Sequence, residues 1–307
     1  MKLLAVLAAV LLEHFRPLNT RLAIFALFNQ YSDALERHFN AGERRHGVVA
    51  WCLAVLPATL LVAVVYVLLY RVHALIAAAF AVVVLYITMG FKHFSNIAAQ
   101  ISAALRAAEL DKARAVLSKW YGQDAGEFDA QQIARVAIEQ SLVFAHRKLF
   151  GIITWFVILG PAGAVLYRLA HMLKLRWGEL DPSESGAFGA WAQRSFELLD
   201  WIPERLTAIS FAIVGDFEDA VYCWRSQAAA WRRPGQGIIL ASGAGALGVK
   251  LGEPLPIAGS LQTRPEIGLG DEADADYVES AVSLIWRALV LWLALLTLLT
   301  VANWVGA

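Results

Sequence analysis

Two long runs without a charged residue constrain this chain more than any other feature. The runs are Val48 to Tyr70, of 23 residues, and Ala74 to Phe91, of 18 residues. About 18 to 20 apolar residues suffice for an α-helix to cross the hydrocarbon core of a bilayer. The composition agrees, because 59% of the residues are hydrophobic and 17% are charged, against roughly 45–50% and about 25% in soluble domains. The sequence therefore predicts an integral membrane protein whose first two spans form a hairpin that turns at Arg71 to His73.

Three further apolar segments are candidates for membrane helices. Val282 to Val305 is interrupted only by Arg287, whose side chain can reach the interface, so we predict a C-terminal span. Leu149 to Leu166 has no charge but contains Gly160-Pro161-Ala162-Gly163, which predicts a kinked or broken membrane helix. Such a break either lines a site or is an ordinary proline kink in a packed span. Leu3 to Leu12 is predicted to be an interfacial helix or a short span.

The remaining sequence is more polar and is predicted to lie outside the bilayer. Asp200 and Pro203 match the preferences of a helix start, which predicts separate helices over Phe188 to Asp200 and Pro203 to Val214. Gly237 to Leu251 and Glu253 to Gly270 are rich in glycine and proline and are predicted to form a long ordered loop. Basic residues slightly outnumber acidic ones within residues 13–47 and within residues 92–147, which favours a cytoplasmic location for both segments.

We therefore predict an all-α, polytopic membrane helical protein with extramembrane helices and a long ordered C-terminal loop. The predicted parts are an apolar segment with amphipathic helices (1–47), a transmembrane hairpin (48–91), a polar helical segment (92–148), a broken or kinked membrane helix (149–170), an extramembrane helical and loop region (171–281) and a C-terminal transmembrane helix (282–305).

The residues disfavour several classes of partner. His171 to Ser283 holds nine Lys/Arg against sixteen Asp/Glu, so we expect no nucleic-acid partner, since phosphate backbones need clustered cations. The histidines and the two cysteines lack the spacing of a zinc site, so no metal site is predicted. Gly243 to Gly248 matches the dinucleotide fingerprint, but Pro254 and Pro256 leave too little room for the helix that must follow it.

Cationic side chains beside the broken segment are candidates for an anion site. Arg168 directly follows that segment, where an unpaired charge would be costly, so it is either a site residue with Glu139 as its candidate partner or a snorkelling arginine. Arg205 follows Trp201-Ile202-Pro203. His146-Arg147-Lys148 precedes the segment and either binds a phosphate or lipid headgroup or anchors the span. The residues themselves leave these alternatives open.

Five ordered motifs within residues 139–287 resemble the CobD/CbiB family of membrane proteins. They are Gly160-Pro-Ala-Gly-Ala-Val-Leu-Tyr-Arg168, Phe188-Gly189, Asp200-Trp-Ile-Pro-Glu-Arg-Leu-Thr-Ala208, Gly245-Ala-Leu-Gly-Val-Lys-Leu-Gly252 and Arg264-Pro-Glu-Ile-Gly-Leu-Gly270. The resemblance implies a multi-pass protein of the bacterial inner membrane that functions in cobalamin biosynthesis. The implied activity is that of adenosylcobinamide-phosphate synthase, which uses ATP and Mg²⁺ to join the carboxylate of adenosylcobyric acid to aminopropanol or its phosphate.

The Trp-x-Pro-x-Arg-Leu element and the amino-terminal layout also resemble AmpE, a related membrane protein linked to β-lactamase induction. That resemblance implies, as the alternative, a non-catalytic inner-membrane protein in signalling or regulation. The expected partners are the lipid bilayer and an anionic small molecule or corrinoid. A homodimer is expected only from its frequency among oligomers.

The family carries the stretch Glu-Ser-Leu-x-Glu-Asn-x-x-Asp-Gly before the broken helix, and only its first acid matches here. Aligned through Trp155, that acid is Glu139. The second acid, the asparagine, the aspartate and the glycine fall on Val143, Phe144, Arg147 and Lys148. The family's Asn-Thr-Leu-Asp after the helix becomes His171-Met-Leu-Lys174. Oxygen ligands are thus exchanged for apolar or basic groups, which predicts that a magnesium site is absent and the family's activity is lost or altered.

The resemblance and the charges together define the predicted site. Glu139 is the predicted catalytic residue. The predicted ligand-binding residues are a basic set and two glycines: Arg147, Lys148, Arg168, His171, Lys174, Arg205, Gly245 and Gly248. We expect a pocket that includes the arginines and lysines of the broken helix to hold an anionic ligand without a metal ion.

Overall fold

The computed structural model describes residues 2–16, 21–40, 42–179, 187–257 and 259–305. Nearly all of its regular structure is helical, so the prediction of an all-α membrane helical protein is confirmed. The chain forms two compact units, one of residues 1–90 and 147–201 and the other of residues 91–146 and 202–307.

The helices and strands follow one another along the chain as follows. They are α1 (Lys2–Phe15), α2 (Arg21–Phe39), α3 (Arg44–Val72), α4 (Ala74–Thr88), α5 (Phe91–Arg106), α6 (Leu110–Tyr121), α7 (Ala130–Ala145), a π-helix (His146–Phe150), α8 (Gly151–Leu159), α9 (Pro161–Arg176), α10 (Ala190–Val214), α11 (Phe217–Gln227), a 3-10 turn (Ala228–Ala230), α12 (Pro234–Leu247), β1 (Leu255–Ile257), β2 (Ser260–Gln262) and α13 (Ala275–Val305).

Three of the described helices are long and apolar enough to cross a membrane. They are α3 with 29 residues, the continuous helix Ala130–Leu159 with 30 and α13 with 31. At 1.5 Å per residue each extends about 44–46 Å, more than the roughly 30 Å of a hydrocarbon core. The length and apolar composition of these helices make the chain a membrane protein. The predicted boundary at residue 148 falls inside the second of these helices.

The predicted hairpin turns at a single residue, His73. α3 ends at Val72 and α4 begins at Ala74, and the two helices pack against each other. The backbone of His73 is extended, its N–H donates to the Leu69 carbonyl at 2.9 Å, and its Nδ1 accepts from the Leu75 N–H at 3.2 Å. α4 has 15 residues and ends at Thr88, so it extends only about 22 Å. It is shorter than the 18-residue span that the sequence predicted.

The apolar segment with the glycine and proline reverses direction at Gly160. This residue has a φ of +67°, which glycine adopts without steric cost, and Pro161 begins α9. α8 and α9 then pack closely: a Cβ on Gly163 would lie 2.1 Å from the Trp155 carbonyl oxygen, and a Cβ on Gly151 would lie 2.3 Å from the Tyr167 hydroxyl. Residues later in α9 contact residues earlier in α8, so the two helices form an antiparallel hairpin.

The predicted helix start at Pro203 is wrong, because α10 continues through that proline to Val214. A proline inside a helix leaves the carbonyl four residues earlier without its donor. Here that carbonyl, of Leu199, accepts from the indole Nε1 of Trp155 at 2.9 Å. Pro57 lies inside α3, and the corresponding carbonyl of Leu53 accepts from the Tyr31 hydroxyl at 3.1 Å. Two aromatic side chains thus supply the missing donors and allow both helices to continue.

The prediction of a loop over Gly237 to Leu251 is also wrong for most of its length, because α12 occupies Pro234–Leu247. Small residues let this helix pack closely, and a Cβ on Gly245 would lie 2.4 Å from the Asp219 carbonyl oxygen of α11. Burial on all sides thus outweighs the low helix propensity of glycine. The rest of the predicted loop is ordered around β1 and β2, which pair antiparallel, and around two bridges, Val249 to Asp271 and Leu251 to Ile267.

Candidate functional site

The predicted catalytic residue Glu139 lies in a buried ionic cluster of the second unit. It is 4% exposed and projects from the middle of α7. Its Oε1 accepts a hydrogen bond from the Gly252 N–H at 2.9 Å and pairs with the guanidinium of Arg264. Because a buried carboxylate is stable only when its charge is compensated, this contact ties the loop after α12 to α7.

Arg135, one helical turn before Glu139, holds the same loop at a second point. It is 3% exposed, and its guanidinium lies 2.6 Å from Glu253 and 3.7 Å from Glu272. Residues four apart share one face of a helix, so both charged side chains of α7 point to this loop. We call Glu139, Arg135, Arg264, Glu253 and Glu272 the Glu139 cluster.

The loop backbone is strained where it meets the cluster. Gly252 has a φ of +82°, and a Cβ there would lie 2.0 Å from the Pro265 carbonyl oxygen, so only glycine fits. Glu253 has a φ of +62°, which is uncommon for a residue with a side chain. The ion pair with Arg135 stabilises this conformation. Backbone strain of this kind is concentrated at functional sites, which is why we select this cluster as the candidate site.

Aromatic side chains enclose Arg264 in the same unit. Its Cζ lies 5.1 Å from the ring centroid of Trp231, within the range of a cation–π interaction. Tyr121, at the end of α6, is half-buried. Burial raises the pKa of Tyr121, and the nearby positive charge of Arg264 partly offsets that rise. The tyrosine therefore stays protonated at neutral pH and adds no third charge to the pair.

The cluster does not fit the magnesium site that the resemblance implies. Its carboxylates pair with arginines, and within the described residues no three histidine, cysteine or acidic side chains could hold a metal ion together. The positions that the resemblance aligns with the family's oxygen-bearing residues are Val143, Phe144 and Arg147, whose side chains contain no oxygen. The described contacts of Glu139 position the loop, and its catalytic role stays a prediction.

The predicted basic residues of the first unit lie at the α8–α9 hairpin. Arg168 is half-buried, with its Cζ 4.6 Å from the ring centroid of Phe25. Lys174 is buried and pairs with Glu179 at 2.7 Å, so this lysine already has a counter-charge. His171 is buried, with its ring centroid 5.0 Å from that of Phe196.

Arg147 and Lys148 lie in the π-helix His146–Phe150, directly before α8. π-helical turns are rare and are concentrated at functional sites. The antiparallel pairing of Gly151 with Tyr167, continued by one turn, puts residue 147 level with residue 171. The hairpin thus brings the backbone positions of Arg147, Lys148, Arg168, His171 and Lys174 into one region of the first unit. Binding of an anion there stays a prediction.

The other predicted ligand residues belong to the second unit, and the two glycines have a structural explanation. Gly245 contacts the backbone of α11 closely. Gly248 ends α12 with a φ of +66° and accepts from the Asp271 N–H at 3.0 Å. Arg205 is half-buried on α10. Gly243 and Gly245 lie inside a helix, whereas a dinucleotide site needs its glycines in the turn between strand and helix.

The sequence prediction missed the partners of Glu139 as site residues. Arg264 and Gly252 lay within motifs that carried the family resemblance, yet nothing in their spacing linked them to a residue more than 110 positions earlier. Arg135 had a usable signal, since it is a charge one turn before Glu139 in an otherwise apolar stretch. Trp231 had none.

Known proteins resemble the chain along most of its length. The profile of a family described as CobD/Cbib protein matches residues 4–285. A protein of Stutzerimonas stutzeri named cobalamin biosynthesis protein CobD is 36% identical over 297 residues, which cover 95% of this chain and 96% of that protein. A protein of the same name from Chromobacterium violaceum is 34% identical, with 81% and 74% covered. One from Leptospira interrogans is 24% identical, with 76% and 77% covered. No solved structure matches significantly.

Proposed function

The chain belongs to the CobD/CbiB family, and we propose that it acts in cobalamin biosynthesis as a multi-pass protein of the bacterial inner membrane. The proposed reaction is the ATP-dependent formation of an amide bond between the carboxylate of adenosylcobyric acid and the amine of aminopropanol or its phosphate. The observation that carries this proposal is the 36% identity to a CobD protein over 95% of the chain.

The placement of the family motifs supports the proposal. The motif that starts at Gly160 forms the turn of the α8–α9 hairpin, and the motif that starts at Gly245 forms the end of α12. The motif that starts at Arg264 folds back on Glu139. The segments that resemble the family are therefore those that build the hairpin and the Glu139 cluster.

The exchanged residues lead us to propose altered chemistry at this site. Arg147 and Lys148 stand where the family carries an aspartate and a glycine, so the charge before α8 is positive. A phosphate or carboxylate ligand would be attracted by guanidinium and ammonium groups directly, without a bridging cation. The residues present do not fit magnesium, which binds through oxygen ligands.

A second candidate is a non-catalytic, AmpE-like membrane protein in signalling or regulation. The observation that favours it is the state of Glu139, the only acid that matches the family's stretch. Its Oε1 already accepts from the Gly252 N–H and pairs with Arg264. A general base needs a lone pair directed at the substrate's proton, whereas these contacts have a structural effect.

Complementation separates the two candidates. A strain that lacks its own synthase is supplied with cobyric acid and this chain, with the Stutzerimonas relative as positive control. We expect growth that depends on the chain. No growth, at membrane expression equal to that of the relative, would reject the ligase and leave the non-catalytic candidate.

Charge reversal before α8 tests the anion-binding part of the proposal. Arg147→Glu with Lys148→Glu should abolish growth in the same assay, because the reversed charges repel an anionic ligand. Arg232→Glu, at an exposed position of the second unit, is the control for a general charge effect and should grow normally. Normal growth of the double variant would contradict the basic site without contradicting the reaction.

A further inference from the structure

A continuous apolar stripe runs along the exposed side of α10 within the second unit. Its members are Ile202, Leu206, Ile209 and Ile213, which are 40–54% exposed. Steps of four, three and four residues place them on one face of the helix, over about 16 Å of its length. Water-soluble surfaces seldom leave such a stripe uncovered.

The buried side of α10 carries Thr207 and Ser210 beside apolar side chains, and these two hydroxyl groups bond to helices long enough to cross the membrane. The Ser210 Oγ accepts from the Trp292 indole Nε1 of α13 at 2.7 Å. The Thr207 Oγ1 lies 2.9 Å from Nδ1 of His146, within the helix Ala130–Leu159. A third contact joins α10 to α12, where the Ser242 Oγ donates to the Ala208 carbonyl at 2.8 Å. The two buried hydroxyl groups and the Ala208 carbonyl of α10 therefore have partners in neighbouring helices.

The contact with Trp292 gives the depth of α10. Trp292 lies near the middle of the apolar run Val282 to Val305, so in a spanning α13 it lies near the centre of the hydrocarbon core. A side chain in direct hydrogen bond with it lies at the same depth. Ile209, next to Ser210 on the exposed side, therefore faces hydrocarbon and not water.

We propose that α10 is embedded in the membrane and that Ile202, Leu206, Ile209 and Ile213 form a lipid-facing surface. The occupant is the bilayer hydrocarbon, because the stripe lies at the level of the middle of α13, and the accessibility measurement distinguishes lipid from a second copy of the chain. For α10, this assignment replaces the extramembrane location that the sequence predicted for residues 171–281.

Average hydropathy overlooks this helix for a physical reason. Glu197, Asp200, Glu204 and Arg205 all lie within the last 18 residues of α10, so the helix does not count among the three candidate spans of the described chain. Inside a helical bundle, polar groups can point to protein partners, and only the outer face must be apolar. The mean hydropathy of a helix averages its buried and its exposed faces, whereas lipid contacts only the exposed face.

Nitroxide accessibility tests the proposal. Ile209→Cys and Ile213→Cys are made in a Cys52→Ala chain and spin-labelled, and the full-length protein is reconstituted in phosphatidylcholine–phosphatidylglycerol vesicles. Cys223 can stay, because it is buried and burial raises its pKa to about 11, which leaves little thiolate to react at pH 7. The Cys52→Ala parent should take up no label and serves as control.

Two reference sites in the same unit calibrate the measurement. Val290→Cys, at a position of α13 that is 62% exposed, reports a lipid-facing label, and Glu218→Cys, at an exposed polar position of α11, reports a label in water. At Ile209 we expect the ratio of collisions with oxygen to collisions with a water-soluble nickel complex to match Val290. The ratio at Ile209 should be about ten times the ratio at Glu218. This factor corresponds to a difference of about 1.4 kcal/mol in the partitioning of the two reagents between lipid and water.

Either of two other results would overturn the proposal. A ratio like that of Glu218 would mean that α10 faces water. Low collision rates with both reagents would mean that a second copy of the chain or another protein covers the stripe. Ile213→Cys repeats the measurement should Ile209→Cys reduce folding, which the yield of protein in the vesicles reports.

Discussion

At the scale of single residues, the pair of Glu139 and Arg264 links elements that are far apart in the sequence. The two residues are 125 positions apart, and their side chains are 5% and 11% exposed. A family resemblance identified Glu139, but nothing local in the sequence identified its partner. The described contacts of Glu139 hold the loop after α12 in place.

Removal of either partner of this pair should destabilise the protein strongly. Glu139→Gln and Arg264→Met each leave one buried charge uncompensated, which costs about 3–5 kcal/mol of unfolding free energy. The double variant removes both charges and should lose less than the sum of the two single variants. Denaturation of the detergent-purified protein measures this cycle. Additive losses, or single losses below about 0.5 kcal/mol, would contradict the pair as a structural unit.

At the scale of elements, prolines inside helices depend on donors from neighbouring helices. Trp155→Phe removes the indole donor of the Leu199 carbonyl while it keeps an aromatic ring, and it should cost about 1–3 kcal/mol. Adding Pro203→Ala provides a backbone N–H for the same carbonyl, so the double variant should recover most of the loss. Thermal unfolding in detergent measures the stability of the single variant and of the double variant. If Pro203→Ala gives no recovery, the indole hydrogen bond is not what stabilises α10 here.

The glycines of α12 offer a second test at this scale. Gly245→Ala would place a methyl group 2.4 Å from backbone atoms of α11, and such overpacking costs about 1–3 kcal/mol. The three atoms nearest to a Cβ on Gly243 all belong to the side chain of Leu142, which can move. Gly243→Ala should therefore lie within about 1 kcal/mol of the unsubstituted protein. Equal stabilities of the two variants would contradict close packing. A stable Gly245→Ala variant that fails complementation would instead support the predicted ligand role.

At the scale of the whole molecule, the long helices determine how the chain meets the membrane. α3 extends about 44 Å, so its two ends should lie on opposite sides of a bilayer. Asn40→Cys and His73→Cys in a Cys52→Ala chain test this with a membrane-impermeant maleimide applied to intact spheroplasts. The positive surplus within residues 13–47 predicts that His73→Cys reacts and that Asn40→Cys reacts only after permeabilisation. If both react from the same side, α3 does not span.

The sequence by itself determined that this protein is helical and membrane-bound, and where two of its three longest described helices lie. Transfer of a helix into hydrocarbon depends on the sum of its side chains, and that sum can be computed along Val48 to Tyr70 or Val282 to Val305 without any tertiary information. The turn at Gly160 could be anticipated for a similar local reason, because glycine and proline restrict the backbone of their own segment.

Only the tertiary structure decided which polar groups meet. It showed that α10 continues through Pro203, that the glycine-rich segment is a helix and that Glu139 pairs with Arg264. Each outcome depends on a donor, a close contact or a counter-charge supplied by a distant part of the chain. In a low-dielectric interior an unsatisfied polar group is costly, so these long-range partners outweigh local propensity. The amino-acid pattern of a single segment does not contain them.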